Sequence, residues 1–307
     1  MSTVIVFGAT GAVASATART AKARGATVYL ASRSLNKPIP SLSEEEGHQG
    51  EYRRVEADLS KPETIRQAVS SARATRAFVY TVFDSPDHMR SSLEAMKAAG
   101  IEYVVYLSSF SVKGDPNSVP SEEYIAYSHA QVEINLAHIF GESKYMAVRP
   151  SFFATNAHWW VAAAADDGTV KMAFPGAKFD FIVPEDIGRV CGTLLAQETE
   201  GTPVQGDHLS LIGQEELALG DAVELLGQAT GKKLKISECS QEEEIRYLVG
   251  KVGFPEPLAR AVVEQNREQS RGHGLVDFVT HADYARNVYR VTGSQPTGFR
   301  EWAQQAK

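Results

Sequence analysis

The sequence predicts an α/β fold with a doubly wound parallel sheet, and three observations support it. Apolar runs rich in β-branched residues alternate with amphipathic segments of helical length through residues 1–150. The first run leads directly into a glycine turn and a helix. The chain has 307 residues, 43% hydrophobic and 22% charged, which is typical of a soluble globular protein with a large core. Such alternation makes the strands parallel, with helices on both faces of the sheet.

The alternation is regular in the first half of the chain and breaks after Pro150. Six strands are predicted there, over residues 3–7, 27–32, 52–57, 77–83, 103–108 and 145–148. Helices are predicted over residues 15–24, 60–72, 88–99 and 122–140, and a polar loop over 34–50. The second half mixes short strands, over 179–183, 208–212 and 234–236, with helices over 184–195, 217–229 and 242–271. We therefore expect a main domain over 1–150, to which 179–197 return, and a smaller C-terminal mixed α/β lobe over 151–307.

Charge and composition exclude several classes of protein. The net charge is −7 and no basic block is longer than Lys232-Lys233, so no nucleic-acid partner is expected. No apolar run approaches the roughly 18 residues of a membrane span, and no secretory signal or transit peptide fits before a glycine turn at residue 8. We therefore expect a cytoplasmic protein without membrane contact. Cys191, Cys239 and the scattered histidines lack metal-ligand spacing, so no metal is predicted.

The strand–turn–helix at the N-terminus has the order that binds the pyrophosphate of a dinucleotide in a Rossmann-type fold. Gly8 permits the tight turn, and Gly11, which has no side chain, lets an anion approach the backbone. Ala14 takes the third fingerprint position, where it serves helix–strand packing. The free N–H groups of the first helical turn then face the anion, although an ordinary βα turn is the alternative. The predicted binding residues are Gly8, Thr10, Gly11, Ala12 and Val13.

The end of the second predicted strand indicates which dinucleotide binds. Many NAD-binding folds have Asp or Glu here for the ribose 2′-hydroxyl, whereas this chain has Arg33, with Lys37 nearby. A carboxylate would repel a 2′-phosphate, but a guanidinium binds it with two hydrogen bonds and stacks on adenine. Asp58 and Leu59, after the third strand, are placed to contact the adenine edge. The predicted cofactor is therefore NADP(H).

These motifs together resemble the NmrA-like branch of the atypical short-chain dehydrogenase/reductases. The resemblance rests on residues 8–14, Arg33, Asp58-Leu59, Arg149-Pro150 and the helix start at residues 184–188, Pro-Glu-Asp-Ile-Gly. It extends over essentially the whole chain. It implies an NADP-binding fold whose members are either NADPH-dependent reductases, including quinone and isoflavone types, or redox-sensing regulators with little or no catalysis.

His129 occupies a position where the resemblance implies a lysine. Short-chain reductases carry Tyr-x-x-x-Lys on the helix after the fifth strand, and the helix predicted here over 122–140 has no such pair. Aligned on Val132-Glu133, the family's lysine corresponds to His129. Helical spacing predicts an inward-facing stripe of Ile125, His129, Val132, Leu136 and Ile139. His129 is therefore a candidate general acid or base, or a donor to the cofactor ribose; the alternative is a core histidine bonded to the backbone.

The carboxyl ends of the central strands supply further candidates. Ser108, after the fifth strand, has the position of a serine that binds a substrate carbonyl, and Ser109 beside it is predicted to contact substrate. Tyr124 lies near the start of the following helix and is a third catalytic candidate. The residues predicted to line the nicotinamide site after the fourth strand are Thr81, Val82 and Phe83.

Residues after the sixth strand bring aromatic surface toward the same cleft. Pro150 and Phe152 are predicted to contact the cofactor. The predicted substrate contacts are Phe153, Asn156, Trp159 and Trp160. Aromatic walls suit a planar, largely apolar substrate such as a quinone or polyketide, and packing between lobes explains them equally well.

Three functions are open on this sequence. The leading hypothesis is an NADPH-dependent oxidoreductase that reduces a small conjugated or aromatic carbonyl compound of quinone type. The second is a non-catalytic NADP(H) sensor that regulates a protein partner, which the missing Tyr and Lys favour. The third is a redox-neutral isomerase or dehydratase with His129 as its base. Binding of a protein partner or of a second copy of the chain is left open.

Overall fold

The fold is described from a computed structural model that covers residues 2–39, 42, 52–164, 168–196, 206–274, 276–277 and 280–305. Most of the polar loop predicted over 34–50 lies outside these residues, as does residue 197 of the segment predicted to return to the main domain. No helix in the described ranges has the length and apolar character needed to cross a bilayer.

A parallel sheet forms the centre of the described chain. In chain order, the strands are β1 Thr3–Phe7, β2 Thr27–Ser32, β3 Arg53–Glu56, β4 Arg76–Tyr80, β5 Tyr103–Leu107, β6 Tyr145–Pro150, β7 Thr169–Met172, β8 Lys178–Phe179, β9 His208–Leu211, β10 Leu217–Ala218 and β11 Lys235–Glu238. Seven of them form the parallel sheet, in the order β3-β2-β1-β4-β5-β6-β9. The doubly wound sheet is confirmed. Its order reverses between β1 and β4, and ligands bind at such a switch point.

Helices cover both faces of this sheet, and further helices pack around a separate apolar core in the second half of the chain. They are α1 Ala12–Ala23, α2 Pro62–Ala72, α3 Arg90–Ala98, α4 Tyr124–Phe140, α5 Ala157–Ala163, α6 Pro184–Ala196, α7 Leu219–Ala229, α8 Gln241–Tyr247, α9 Glu256–Ser270, α10 Asn287–Thr292 and α11 Phe299–Gln305. Short 3-10 turns cover Pro116–Ser118, Ala154–Asn156 and Ala282–Arg286, and a π-helical turn covers Leu248–Val252. Val4 and Val6 of β1 pack with α1 and α6, while Ile5 and Phe7 pack with α2, α3 and α4. This alternation reflects the two-residue period of a strand.

The second half of the chain differs from the prediction at three strands. β7 was not predicted, β10 lies within residues predicted as helix, and the strand predicted over 179–183 is shorter. Of the residues 179–183, only Phe179 belongs to a strand, β8, which pairs with β10 instead of the main sheet. The chain turns away at Phe181, whose φ of 45° is left-handed and incompatible with a continuing strand. β9 joins the main sheet beside β6, and α6 packs on α1. The division into domains at residue 150 stays a prediction.

Two glycines let α6 pack unusually close to α1, the helix after the glycine turn. A Cβ on Gly188 would lie 2.3 Å from the Ala16 Cβ and 2.8 Å from the Val13 carbonyl oxygen. A Cβ on Gly192 would lie 2.5 Å from the Thr17 carbonyl oxygen. Because α1 is itself rich in Ala, Ser and Thr, small residues meet on both sides of this contact. The close contact with α6 therefore fixes the position of α1.

Gly188→Ala is expected to lower the free energy of unfolding by about 1–3 kcal/mol, because the added Cβ overpacks two helices already in contact. Urea unfolding monitored by circular dichroism measures this change. Gly176→Ala is the matched control, since Gly176 is exposed with open space around it, and should stay within about 0.5 kcal/mol of the wild type. A Gly188→Ala protein as stable as the wild type would contradict the close approach of α1 and α6.

Candidate functional site

The turn between β1 and α1 leaves the start of α1 open to an anion. Gly8 has a φ of 68°, which favours glycine, and its N–H donates to the Ala31 carbonyl at 3.0 Å. Gly11 caps α1 with extended backbone and no side-chain hydrogen bond. Gly11 and Ala12 are exposed, Thr10 is half-buried, and the Val13 side chain is in the core. The N–H groups of the first turn thus form an uncapped, accessible helix start.

The polar residues predicted at the adenine end lie near one another. Arg33 is exposed directly after β2, and Asp58 is half-buried after β3. Hydrogen bonds from the Ser60 N–H and hydroxyl, and the charge of Arg33, hold the pKa of Asp58 below its usual value despite partial burial. The Leu59 side chain is buried in the core, so Asp58 is the residue of this pair with an accessible side chain.

Tyr80, the last residue of β4, lies across the glycine turn and was not predicted. A Cβ on Gly8 would lie 2.4 Å from the Tyr80 Cε1 atom, so the ring occupies the space that the glycine leaves. Burial raises the pKa of Tyr80, and the nearby Arg33 charge opposes this shift. The phenol is therefore neutral, and 37% of the residue is exposed. The signal available in the sequence was its position at a strand end beside β1.

A cavity of about 340 Å³ lies at the carboxyl ends of β4, β5 and β6, continuous with Tyr80. α4 and α9 form its other walls. The predicted residues that line it are Thr81, Phe83, Ser108, Ser109, His129, Pro150, Phe152, Phe153, Asn156 and Trp159. Residues that line it without having been predicted are Tyr80, Leu107, Ser111, Ile125, Ser151, Phe254, Leu258, Val262 and Gln265. Val82 is not part of this lining, and its N–H donates to the Met89 sulfur at 3.4 Å.

His129 is held against the ends of β4 and β5 by two hydroxyl groups. Its Nδ1 lies 2.7 Å from Thr81 Oγ1 and 3.0 Å from the Tyr106 hydroxyl, and these two oxygens are 2.5 Å apart. Burial lowers the pKa of His129 to about 3, so the imidazole is neutral at physiological pH. Burial also raises the pKa of Tyr106 well above 10, so its phenol keeps its proton. The cluster consists of neutral groups that share hydrogen bonds.

Ser108 belongs to a second network, beside His129. Its hydroxyl donates to Glu133 at 2.5 Å, and Glu133 accepts two further hydrogen bonds from Arg149, at 3.0 and 2.5 Å. Ser108, Glu133 and Arg149 are each 3% exposed. In this arrangement, the Ser108 hydroxyl proton is hydrogen-bonded to the Glu133 carboxylate and is not free for a substrate.

Phe83 lines the cavity, and Tyr124 stacks on it from outside the cavity lining. Their rings stack with centroids 5.8 Å apart, and Phe83 also meets His129 edge-on at 5.5 Å. Tyr124 lines a neighbouring groove and not the cavity itself. The Phe83 side chain, which is 39% exposed, lies between Tyr124 and the His129 cluster. Ser109 accepts a hydrogen bond from Ser111 at 2.8 Å.

One predicted substrate contact is wrong. Trp160 is completely buried, and its indole N–H donates to Glu244 at 3.2 Å within the core of the second half. On α5, adjacent residues point in different directions, so the half-buried Trp159 reaches the cavity while Trp160 packs away from it. Phe152 is also nearly buried and stacks on Phe179 with centroids 4.0 Å apart. Within the described part of the chain, no group of three or more acidic, His or Cys side chains is arranged to hold a metal.

Comparisons with known proteins agree on the class of fold and cofactor. The family described as NAD(P)H-binding matches residues 8–179, more than half of the chain. The nitrogen metabolite regulation-like protein bik4 of Gibberella fujikuroi is 32% identical, over 98% of this chain and 95% of that protein. The NADPH-dependent quinone oxidoreductase QOR2 of Escherichia coli, complexed with NADPH, superposes with a TM-score of 0.72 at 17% identity, covering 99% of each chain. Citrobacter sp. triphenylmethane reductase complexed with NADP(H) superposes with a TM-score of 0.69 at 16% identity, covering 100% of each chain.

The two structural comparisons, at these low identities, confirm the Rossmann-type fold. The family match confirms the predicted class of cofactor, a nicotinamide dinucleotide of the NAD(P)H type, and its residues 8–179 include the glycine turn and the cavity-lining strand ends. The chain therefore belongs to the NAD(P)H-binding family and, with 32% identity along nearly its whole length to a nitrogen metabolite regulation-like protein, to its NmrA-like members.

Proposed function

We propose that this protein is an NADPH-dependent reductase of small, planar, conjugated or aromatic carbonyl compounds of the quinone type. The observation that carries the proposal is the cavity of about 340 Å³ at the carboxyl ends of β4, β5 and β6. Aromatic side chains form one part of its wall, and hydroxyl and imidazole groups form another. A flat apolar ring fits the first, and a carbonyl oxygen finds hydrogen-bond donors in the second.

The residues beside the cavity fit NADP(H). The uncapped start of α1 suits the pyrophosphate, and the exposed Arg33 suits a ribose 2′-phosphate. Tyr80 links this groove to the cavity, since its ring covers Gly8 and also lines the cavity wall. When bound, the cofactor supplies a hydride to the substrate.

The polar groups of the cavity hold the substrate oxygen without a fixed positive charge. His129 is neutral, so it acts as a hydrogen-bonding group and does not replace the constant charge of a lysine. Thr81 and Tyr106 fix its ring through Nδ1. The aromatic side chains of Phe83, Phe153 and Trp159 exclude water from a planar substrate.

A second candidate function is a non-catalytic NADP(H) sensor. The identity of 32% to a nitrogen metabolite regulation-like protein favours it. So does the absence of a Tyr-x-x-x-Lys pair on α4, since neither His129 nor Ser108 supplies the same charge and free proton. A sensor needs only the cofactor groove and a surface for a protein partner.

Turnover separates the two functions. The purified protein, mixed with NADPH and menadione, is expected to oxidise NADPH, monitored by absorbance, with hydroquinone formed in equal amount. Calorimetric titration with NADPH and NADP⁺ accompanies the assay. Tight binding of one redox form over the other, with no turnover of menadione or of conjugated enones, would contradict the reductase and support the sensor.

Arg33→Ala is expected to weaken NADPH binding about 10–100-fold, because the variant loses a pair of charge-assisted hydrogen bonds to the 2′-phosphate. NADH binding should hardly change, because NADH has no phosphate there. Calorimetry with both nucleotides measures the difference. Arg24→Ala, an exposed arginine at the other end of α1, is the control and should bind NADPH as the wild type does. Unchanged NADPH affinity in Arg33→Ala would refute the NADP(H) preference argued from this position.

Because His129 is buried and neutral, the free energy of unfolding is expected to depend on pH. Burial lowers its pKa to about 3 in the folded protein, against 6.5 as the ordinary value, so below pH 6.5 the unfolded chain binds a proton that the folded protein does not. The free energy of unfolding therefore falls as the pH falls. The His129→Asn variant keeps an amide near the Nδ1 position but has no group to protonate. Between about pH 7 and pH 5, its free energy of unfolding should fall by about 2 kcal/mol less than that of the wild type.

Urea unfolding at several pH values measures this difference. His138→Asn, an exposed histidine on the same helix, is the control and should match the wild type. If the wild type and His129→Asn lost stability in parallel, His129 would be charged in the folded protein, and its role as a neutral group would have to be abandoned.

A further inference from the structure

A buried carboxyl group stands directly behind the cavity wall at Ser151. Ser151 comes directly after β6, lines the cavity and donates its hydroxyl hydrogen bond to Asp180 Oδ2. Asp180 comes directly after β8 and is only 1% exposed. The same Oδ2 atom accepts from the Gly213 N–H at 2.6 Å, while Oδ1 is buried without a partner in the described part of the chain. A hydroxyl that faces substrate is thus joined to a carboxyl group that water does not reach.

The surroundings of Asp180 favour a proton on this carboxyl group. Burial raises its pKa to about 6, against the hydrogen bonds from Gly213, Ser151 and nearby backbone that lower it. These partners are all neutral. On the packed elements, the charges of Glu133 and Arg149 pair with each other, and His129 is neutral. An unpartnered buried oxygen is costly on a carboxylate, and protonation removes that charge. A proton on Oδ2 makes the carboxylic acid the donor to Ser151 Oγ, which leaves the Ser151 hydroxyl to donate into the cavity.

Three other hydroxyl groups at the strand ends, those of Ser108, Tyr106 and Thr81, already have hydrogen-bond partners within the protein. Ser108 donates to Glu133, which is neutralised by Arg149. Tyr106 and Thr81 bond each other and His129 Nδ1. These groups can orient a substrate oxygen, but none of them is hydrogen-bonded to a group that releases a proton near neutral pH. Ser151 has such a group in Asp180.

We propose that Ser151 is the catalytic hydroxyl that protonates the substrate oxygen, and that Asp180 is the positioning residue that orients Ser151 and returns its proton. This assignment rests on the proposed reductase function. Hydride from the reduced cofactor forms a new bond at the acceptor, and an electron pair moves onto its carbonyl oxygen. That oxygen takes the Ser151 proton, and Ser151 Oγ takes the Asp180 proton. After the product leaves, water in the cavity gives a proton to Ser151, which passes its own proton back to Asp180. The balance is acceptor, NADPH and one proton giving reduced acceptor and NADP⁺.

Two hydride acceptors distinguish this role from a structural one. Menadione needs a proton as well as a hydride, whereas the cationic dye malachite green takes a hydride at its central carbon and needs no proton. With the wild type, kcat/KM for menadione should fall as the pH rises through about 6, because Asp180 loses the proton it supplies. Asp180→Asn, which is nearly the same shape and always neutral, should remove this inflection and lower kcat for menadione about 10²–10⁴-fold. Its reduction of malachite green should match that of the wild type.

Variants of Ser151 give the same test without changing the buried carboxyl group. Ser151→Ala should behave as Asp180→Asn, and Ser151→Thr, which keeps a hydroxyl, should restore menadione reduction. The double variant should be no slower than either single one, because the two residues act as a unit. Asp186→Asn is the structural control: Asp186 is another 1% exposed carboxylate that joins two segments, through Thr297, and its loss should leave the pH profile in place.

The outcomes separate the two levels of the proposal. Asp180→Asn or Ser151→Ala with the wild-type inflection and rate for menadione would overturn the assignment of Ser151 and Asp180. Equal losses with menadione and malachite green would also overturn it, since a distorted cavity affects both acceptors. A wild-type protein that binds NADPH but reduces neither acceptor would overturn the reductase function itself, and this assignment with it.

Discussion

The candidate site depends on one buried ion pair, Glu133 with Arg149. The carboxylate lies on α4 and the guanidinium on β6, both are 3% exposed, and two hydrogen bonds join them. Ser108 and the Gly114 carbonyl, at 3.4 Å, complete the network. Desolvation makes such a pair weak evidence of stability, but loss of one partner leaves a bare charge and costs about 3–5 kcal/mol. The pair therefore fixes how α4 meets the sheet.

This constraint sets the chemistry of the neighbouring groups. His129 lies one helical turn before Glu133, so the contact that holds Glu133 on β6 also holds His129 against β4 and β5. There the imidazole loses its hydration and stays neutral. Ser108 donates its hydrogen bond to Glu133 for the same reason. The ion pair thus positions α4 beside the cavity. It also holds His129 and Ser108, the two residues that the sequence favoured most as proton donors, in hydrogen bonds within the protein.

Local patterns in the sequence were sufficient to predict the elements that build the cofactor groove. β1, the glycine turn, the strand alternation and the inward face of α4 each come from short-range periodicity, and the structure has them. Trp160 was misassigned because a pair of adjacent tryptophans gives no indication of which one faces a cleft. Tyr80, Ser151 and Asp180 were missed because their importance arises from contacts across elements. The positive φ at Phe181, which places Asp180 behind Ser151, has no sequence signal in a non-glycine residue.

The charge state of the histidine at position 129 and the protonation of the carboxyl group at position 180 are connected in the proposed reaction. The resemblance implies a lysine at 129, whose constant charge would stabilise a developing oxyanion and lower the pKa of a nearby donor. A neutral imidazole does neither, so the proposed reduction would need a donor whose own pKa is already close to neutral. Burial without a charged partner gives Asp180 that property, and Ser151 connects it to the cavity. In the proposed reductase, a protonatable group held in the second half of the chain compensates for the replacement of one charge by a neutral group in the helix.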